Sequence, residues 1–201
     1  QPVNPAVDRP EPSRHPVRDG LHYLRTRRDL QAVVLLVAMV SVFGQNFRVV
    51  FPVLARDTFS GDAATYGYLT SALGLGALAG GFAVATRSVV SPKLVAFAAI
   101  GFAVMNVVVA VVPSLTAAIG AIALLGVTNV GFNTLARSYL QLYTAPELRG
   151  RVMAIYILIF LGGTSIGAVI AGLACEHWGP RWTLGPAALM AAAAAVVTVR
   201  V

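Results

Sequence analysis

Ser41, Gln45 and Arg48 stand inside an apolar run and, at about 100° per residue, share one narrow helical face. Asn46 lies beside them. A second polar series, Asn129, Asn133, Arg137 and Gln141, recurs at strict four-residue spacing in another apolar run and drifts only slowly around its helix. The chemistry these side chains offer is binding, because amides and a guanidinium supply hydrogen-bond donors and acceptors and no convergent nucleophile, acid or metal set lies within the spans. An arginine inside a bilayer costs at least ~2.5 kcal/mol at the centre, so it faces a wet cavity or snorkels to an interface. Arg48 is open to both readings, being a couple of turns from the end of its run. In a cavity, its planar fork would grip an anionic or phenolate-bearing molecule. Asn129 and Asn133 read as cavity lining or as glue between helices, while Arg137 and Gln141, near the end of theirs, read as interface residues. The candidate cavity set is therefore Ser41, Gln45, Arg48, Asn129 and Asn133.

Catalysis finds no support. Asp8, Glu11, Asp19, Asp29, Asp57, Asp62, Glu147 and Glu176 all fall in loops or at helix ends, leaving no acid within a span to carry a proton. Cys175, Glu176 and His177 offer metal-ligand atoms without a fourth partner at useful spacing, so neither a metal nor a cofactor is expected. Cys175 is the single cysteine, which excludes an intrachain disulfide.

The elements that position the polar stripes are long and greasy. Of 201 residues, 57% are hydrophobic and 11% charged, with mean hydropathy +0.76; soluble domains carry about 25% charged residues. The pattern predicts an all-α membrane protein with six spans, near 32–54, 66–85, 94–112, 115–141, 151–174 and 182–199. The formal charge of +7 does not imply nucleic acid, because the Arg and Lys residues flank the apolar runs and do not form a groove. Residues 1–16 are Pro-rich and polar, as expected of a disordered linker. Across 17–29, Val17, Leu21 and Leu24 oppose Arg18, Arg25 and Arg28, which predicts a short amphipathic helix on the anionic cytoplasmic membrane surface; the other reading is a charged tail.

The spans show a period of three. The first and fourth carry polar stripes, the second and fifth carry glycines, and the third and sixth are apolar nearly all round. This is the weak internal symmetry of a three-plus-three inverted repeat. Gly76, Gly80, Gly163 and Gly167 are the expected close-packing positions, two of them candidates for contact with a further helical half. The all-round apolar helices are expected to face lipid.

One charged stretch, Leu142 to Ala154, divides the chain. Pro146 stops the preceding helix, Glu147 stands where the next helix dipole favours an anion, and Arg149 and Arg151 follow. Glu147, Arg149 and Arg151 read as a gating loop, with the arginines docking on helix C-termini or carboxylates when the cytoplasmic side closes; topology marking alone is the other reading. Arg25, Arg27, Arg28, Arg87, Lys93, Arg149, Arg151 and Arg200 fall on one side, Arg56 and Arg181 on the other. By the positive-inside rule both termini are cytoplasmic.

The stretches Phe43–Pro52, Thr70–Gly80 and Pro146–Ala154 resemble the C-terminal half of a major facilitator superfamily transporter. The branch they are most similar to is the enterobactin-exporter-like, or transmembrane secretion effector, group of bacterial exporters. The resemblance covers nearly the whole chain after about Val17 and implies transmembrane helices seven to twelve. It further implies that the first and fourth spans here line a central cavity, the second and fifth meet the other half, and the third and sixth face lipid. The implied function is secondary active export of small organic molecules, of drug or siderophore type, by alternating access across the bacterial inner membrane. The expected partners are the lipid bilayer, a small-molecule substrate and a missing N-terminal six-helix half. Gln1 in place of an initiating Met agrees with a fragment or processed product. The alternatives are a six-helix half-transporter working as a dimer, or a non-transporting interaction module.

Overall fold

The computed structural model describes residues 16–85, 90–186, 189, 190 and 193. The Pro-rich stretch 1–15, Arg87 with its loop, Arg200 and most of the expected sixth span lie outside the described residues. Among the described residues the fold is all helical. The helices are α1 (Pro16–Thr26), α2 (Arg28–Phe43), α3 (Phe47–Val53), α4 (Ala63–Ala85), α5 (Pro92–Val111), α6 (Leu115–Tyr143), α7 (Arg149–Trp178) and α8 (Pro180–Leu184). Five stretches are long and apolar enough to cross a membrane: Arg28–Thr58, Ala63–Ala85, Pro92–Val111, Leu115–Tyr143 and Pro146–Trp178. A helix is the form such runs must take, since lipid offers no partner to an unpaired backbone N–H or C=O.

Local chemistry sets the boundaries. Ser91 Oγ accepts from the Leu94 N–H at 3.2 Å with Pro92 in the first turn, and Ser114 Oγ accepts from the Ala117 N–H at 3.4 Å. Asp62 Oδ1 accepts from the Thr65 N–H at 3.1 Å ahead of α4, a bond that holds its carboxyl below the usual carboxylate range. At the other end of the fold, α7 stops at Gly179, whose φ of +85° suits glycine.

The first span departs from the single helix expected over 32–54. It is broken at Gly44–Asn46, resumes as α3 and ends in a π turn over Leu54–Thr58. Gly44 and Asn46 lie at the break, and Pro52 disturbs the helix beyond it. Phe102 and Met190 fill the space where a Gly44 side chain would stand. The Asn46 side chain bonds back to the Val42 carbonyl at 2.7 Å, competing with the backbone ladder. Pro52, inside α3, lacks the N–H that would continue regular bonding.

The spans pack in two principal pairs, α2 on α7 and α4 on α6, with α5 laid along α6. Glycine makes both pairs close. A Cβ on Gly76 or Gly80 would run into the backbone of Ala123 or Val127, and one on Gly126 would meet the backbone of Leu73, Gly76 and Ala77. On the other pair, Gly163 sits against Ser41, and Gly167 sits against the Val42 carbonyl with Asn46 Nδ2 at 2.6 Å from its would-be Cβ. All four expected packing glycines thus contact helices of this chain. Their opposite faces remain bare: Leu75, Leu78 and Phe82 on α4, and Leu158, Leu161 and Val169 on α7, are exposed. The third span is not bare all round. It exposes Phe97, Val104 and Val111 along one row and buries Val95, Phe102 and Asn106 on another.

Candidate functional site

The break in the first span opens a cavity of about 540 Å³ between α3, α4, α6 and α7. Its polar lining is Gln45, Asn46, Arg48, Tyr66, Thr70, Asn129 and Thr164, set among Phe47, Phe51, Leu73 and Ala168. Three candidates from the sequence meet there: Gln45, Arg48 and Asn129. Asn129 Nδ2 donates to Gln45 Oε1 at 3.1 Å, joining the fourth span to the break in the first. Arg48 is exposed, and among the described residues it has no ion pair. Among the described residues its cation is the one full charge on the cavity wall, and no carboxylate lines it.

The other two candidates lie elsewhere. Ser41, expected on the cavity wall, is fully buried in the contact between α2 and α7, where its Oγ donates to Ala38 O at 2.9 Å and Ile159 O at 3.4 Å. Its hydroxyl is satisfied by backbone, so it acts as packing glue. Asn133 stands one turn beyond the cavity and donates from Nδ2 to Asn129 O and Oδ1, both at 2.9 Å. It braces Asn129 without lining the cavity. Further along the stripe, the Arg137 guanidinium lies 5.5 Å from the centre of the Tyr156 ring, and Gln141 is exposed.

Sequence reasoning passed over Asn46, Tyr66, Thr70 and Thr164 as site residues. Tyr66 and Thr70, four apart at the start of the second span, carried a signal that the glycine pattern overshadowed. Asn46 lies off the Gln45–Arg48 face in a continuous helix and reaches the cavity because the helix breaks there. Thr164 follows Gly163 and sits opposite Gln45 once α7 closes on α2.

In the loop after the fourth span, Glu147 and Arg149 are exposed in and after a short 3-10 turn, Pro146–Leu148. Arg151 is half-buried, and its Cβ lies 3.2 Å from where a Cβ on Gly20 of α1 would stand. Leu24 also buries itself on this side, so α1 lies along the start of α7 with Leu21, His22 and Arg25 exposed. Cys175 is buried, with Sγ 3.2 Å from the Thr183 Oγ1.

Five long apolar helices packed round a small cavity with polar lining define a multi-pass membrane protein. A family model of the major facilitator type, described as transmembrane secretion effector, matches residues 3–201, and the chain belongs to that family of transporters. No curated protein and no solved structure matches the chain.

Proposed function

We propose that this chain forms the C-terminal six-helix half of a secondary active exporter that moves small organic molecules out of the cell by alternating access. The observation that carries the reading is the cavity at the broken first span, where Arg48 offers a lone cation and Gln45, Asn46 and Asn129 offer amides. Broken helices at mid-membrane binding sites are how transporters expose backbone and polar side chains without facing lipid. The pairing of first span with fifth, and second with fourth, is the exchange that a three-plus-three inverted repeat produces, and it supports that architecture. A separate N-terminal six-helix half completes the cavity, and the bare faces of α4 and α7 are where it docks. The bundle sits in the bacterial inner membrane with both termini cytoplasmic, α1 on the membrane surface, and Glu147, Arg149 and Arg151 in the gating loop.

The cavity's charge selects organic anions. Efflux of salicylate and of its neutral amide by the full-length protein in inverted vesicles tests this, with surface abundance held equal. The acid should move at least several-fold faster than the amide; equal rates would remove Arg48 from recognition. The bare faces of α4 and α7 also fit a second copy of the chain, and co-purification of two differently tagged copies as a transporting unit would favour that reading instead.

A further inference from the structure

The ends of the first and fourth spans remote from the cavity are joined by a polar knot that the cavity does not use. Asp29, in the first turn of α2, accepts from Arg27 Nε at 3.1 Å and from Arg27 Nη2 at 2.8 Å. The same carboxylate accepts the Tyr139 hydroxyl of α6 at 3.1 Å. The Tyr139 ring is buried and stacks on Tyr143, with centroids 4.5 Å apart, and the Tyr143 hydroxyl donates to Val90 O at 3.2 Å. Beside them, the Tyr23 hydroxyl of α1 accepts the Ala145 N–H at 3.3 Å. One carboxylate therefore ties the approach to the first span to the end of the fourth, and the tyrosines extend that tie to the flanking loops.

The seam these ends close is thin elsewhere. α2 packs mainly on α7, and α6 mainly on α4 and α5, with sparse contact between the two groups. Among the described residues, one other side-chain hydrogen bond crosses from the first span to the fourth, Asn129 to Gln45. Along the same seam Gln45 Nε2, Asn133 Oδ1 and the Tyr156 hydroxyl are buried and meet no hydrogen-bond partner among the described residues. Buried polar groups left without partners are costly. A seam that parts lets water or a passing solute satisfy them.

We propose that Asp29 is the pin of a clasp between the α2–α7 pair and the α4–α6 pair, and that the pairs separate at this end when the mouth of the cavity opens. The clasp depends on the alternating-access reading for its purpose and not for its geometry. Opening requires the Tyr139–Asp29 bond to break, after which Asp29 keeps its charge through Arg27.

Nitroxide labels at two exposed positions, Gln31 on α2 and Gln141 on α6, report the separation in the full-length protein carrying Cys175→Ala in lipid nanodiscs. Tyr139→Phe removes one hydroxyl and keeps the stack on Tyr143; Asp29→Ala removes the carboxylate that accepts it. By double electron–electron resonance, each should add a population longer by about 5 Å or more, the scale of a one-turn ratchet between packed helices. The double variant should add little beyond either single, because both remove the same tie. Distributions for Tyr139→Phe and Asp29→Ala that superimpose on the parent's, in samples of parent-like helicity, would overturn the clasp. Transport measured on the same samples separates the two readings. Longer distances in a protein that moves no anion uphold the clasp and count against the exporter, whereas transport with unchanged distances does the reverse.

Discussion

Asn129 has a fixed orientation, and the reason is local. Asn133 Nδ2 donates to the Asn129 backbone carbonyl, which can only accept, so the amide of Asn133 cannot be turned round. Its second donation then makes Asn129 Oδ1 the acceptor and Asn129 Nδ2 the donor to Gln45 Oε1. Hydrogen bonds between membrane helices average about 0.6 kcal/mol and reach about 1.7. A double-mutant cycle of Asn129→Leu and Gln45→Leu, read by unfolding in mixed micelles, should therefore give a coupling of about 0.5–1 kcal/mol. Additive single effects would show that this link contributes nothing. The four-residue rhythm of the stripe was plain in the sequence, as was the Gln45–Arg48 face. What angular arithmetic could not supply was Ser41's place, because it assumed one unbroken helix from Ser41 to Arg48. The break at Gly44–Asn46 lies between them and separates Ser41, on the packing face of α2, from the cavity.

Among the helices, the glycines divide by what faces them. Gly162 and Gly167 belong to the same helix, yet a Cβ on Gly162 meets nothing within 4 Å while one on Gly167 meets the Val42 backbone. Gly→Ala in an open helix interior stabilises by up to about 1 kcal/mol through backbone entropy. Gly162→Ala should thus be neutral or stabilising. Gly167→Ala should destabilise by about 1–3 kcal/mol, because the backbone it meets can yield only by separating α2 from α7. Resistance to unfolding by dodecyl sulfate measures both, and a shift of the same sign in the two variants would contradict the packing described. Glycine-rich runs announced that the second and fifth spans pack closely. They did not announce the partner, since every glycine in a run looks alike until the facing helix is placed. Nor did they show that both spans would leave a broad apolar face bare.

Across the whole molecule, five of the six expected spans were legible because each is a long apolar run with few charges, bounded by Pro, Ser or Gly signals, and most of the sixth lies outside the described residues. Gln45, Arg48 and Asn129 of the cavity wall stood in the two polar stripes, but Tyr66, Thr70 and Thr164 did not stand out, because isolated hydroxyls on a greasy helix satisfy themselves on backbone as readily as they line a site. Thr70 and Thr164 do bond to carbonyls four residues back, Tyr66 O and Phe160 O, while lining the cavity. Arg48 does not have that option. It is exposed on the wall of a cavity lined by no carboxylate among the described residues, in a span where a charge is expensive. This guanidinium is where the proposed export would meet a substrate anion. The most direct measurement is efflux of salicylate by the full-length protein carrying Arg48→Lys or Arg48→Leu, with surface abundance determined alongside. Arg48→Lys, which keeps the charge and loses the bidentate fork, should weaken export; Arg48→Leu should abolish it while inserting into the membrane at least as well. Export at the parent's rate by Arg48→Leu would show that the arginine only snorkels to the interface, and the cavity would lose its role in binding.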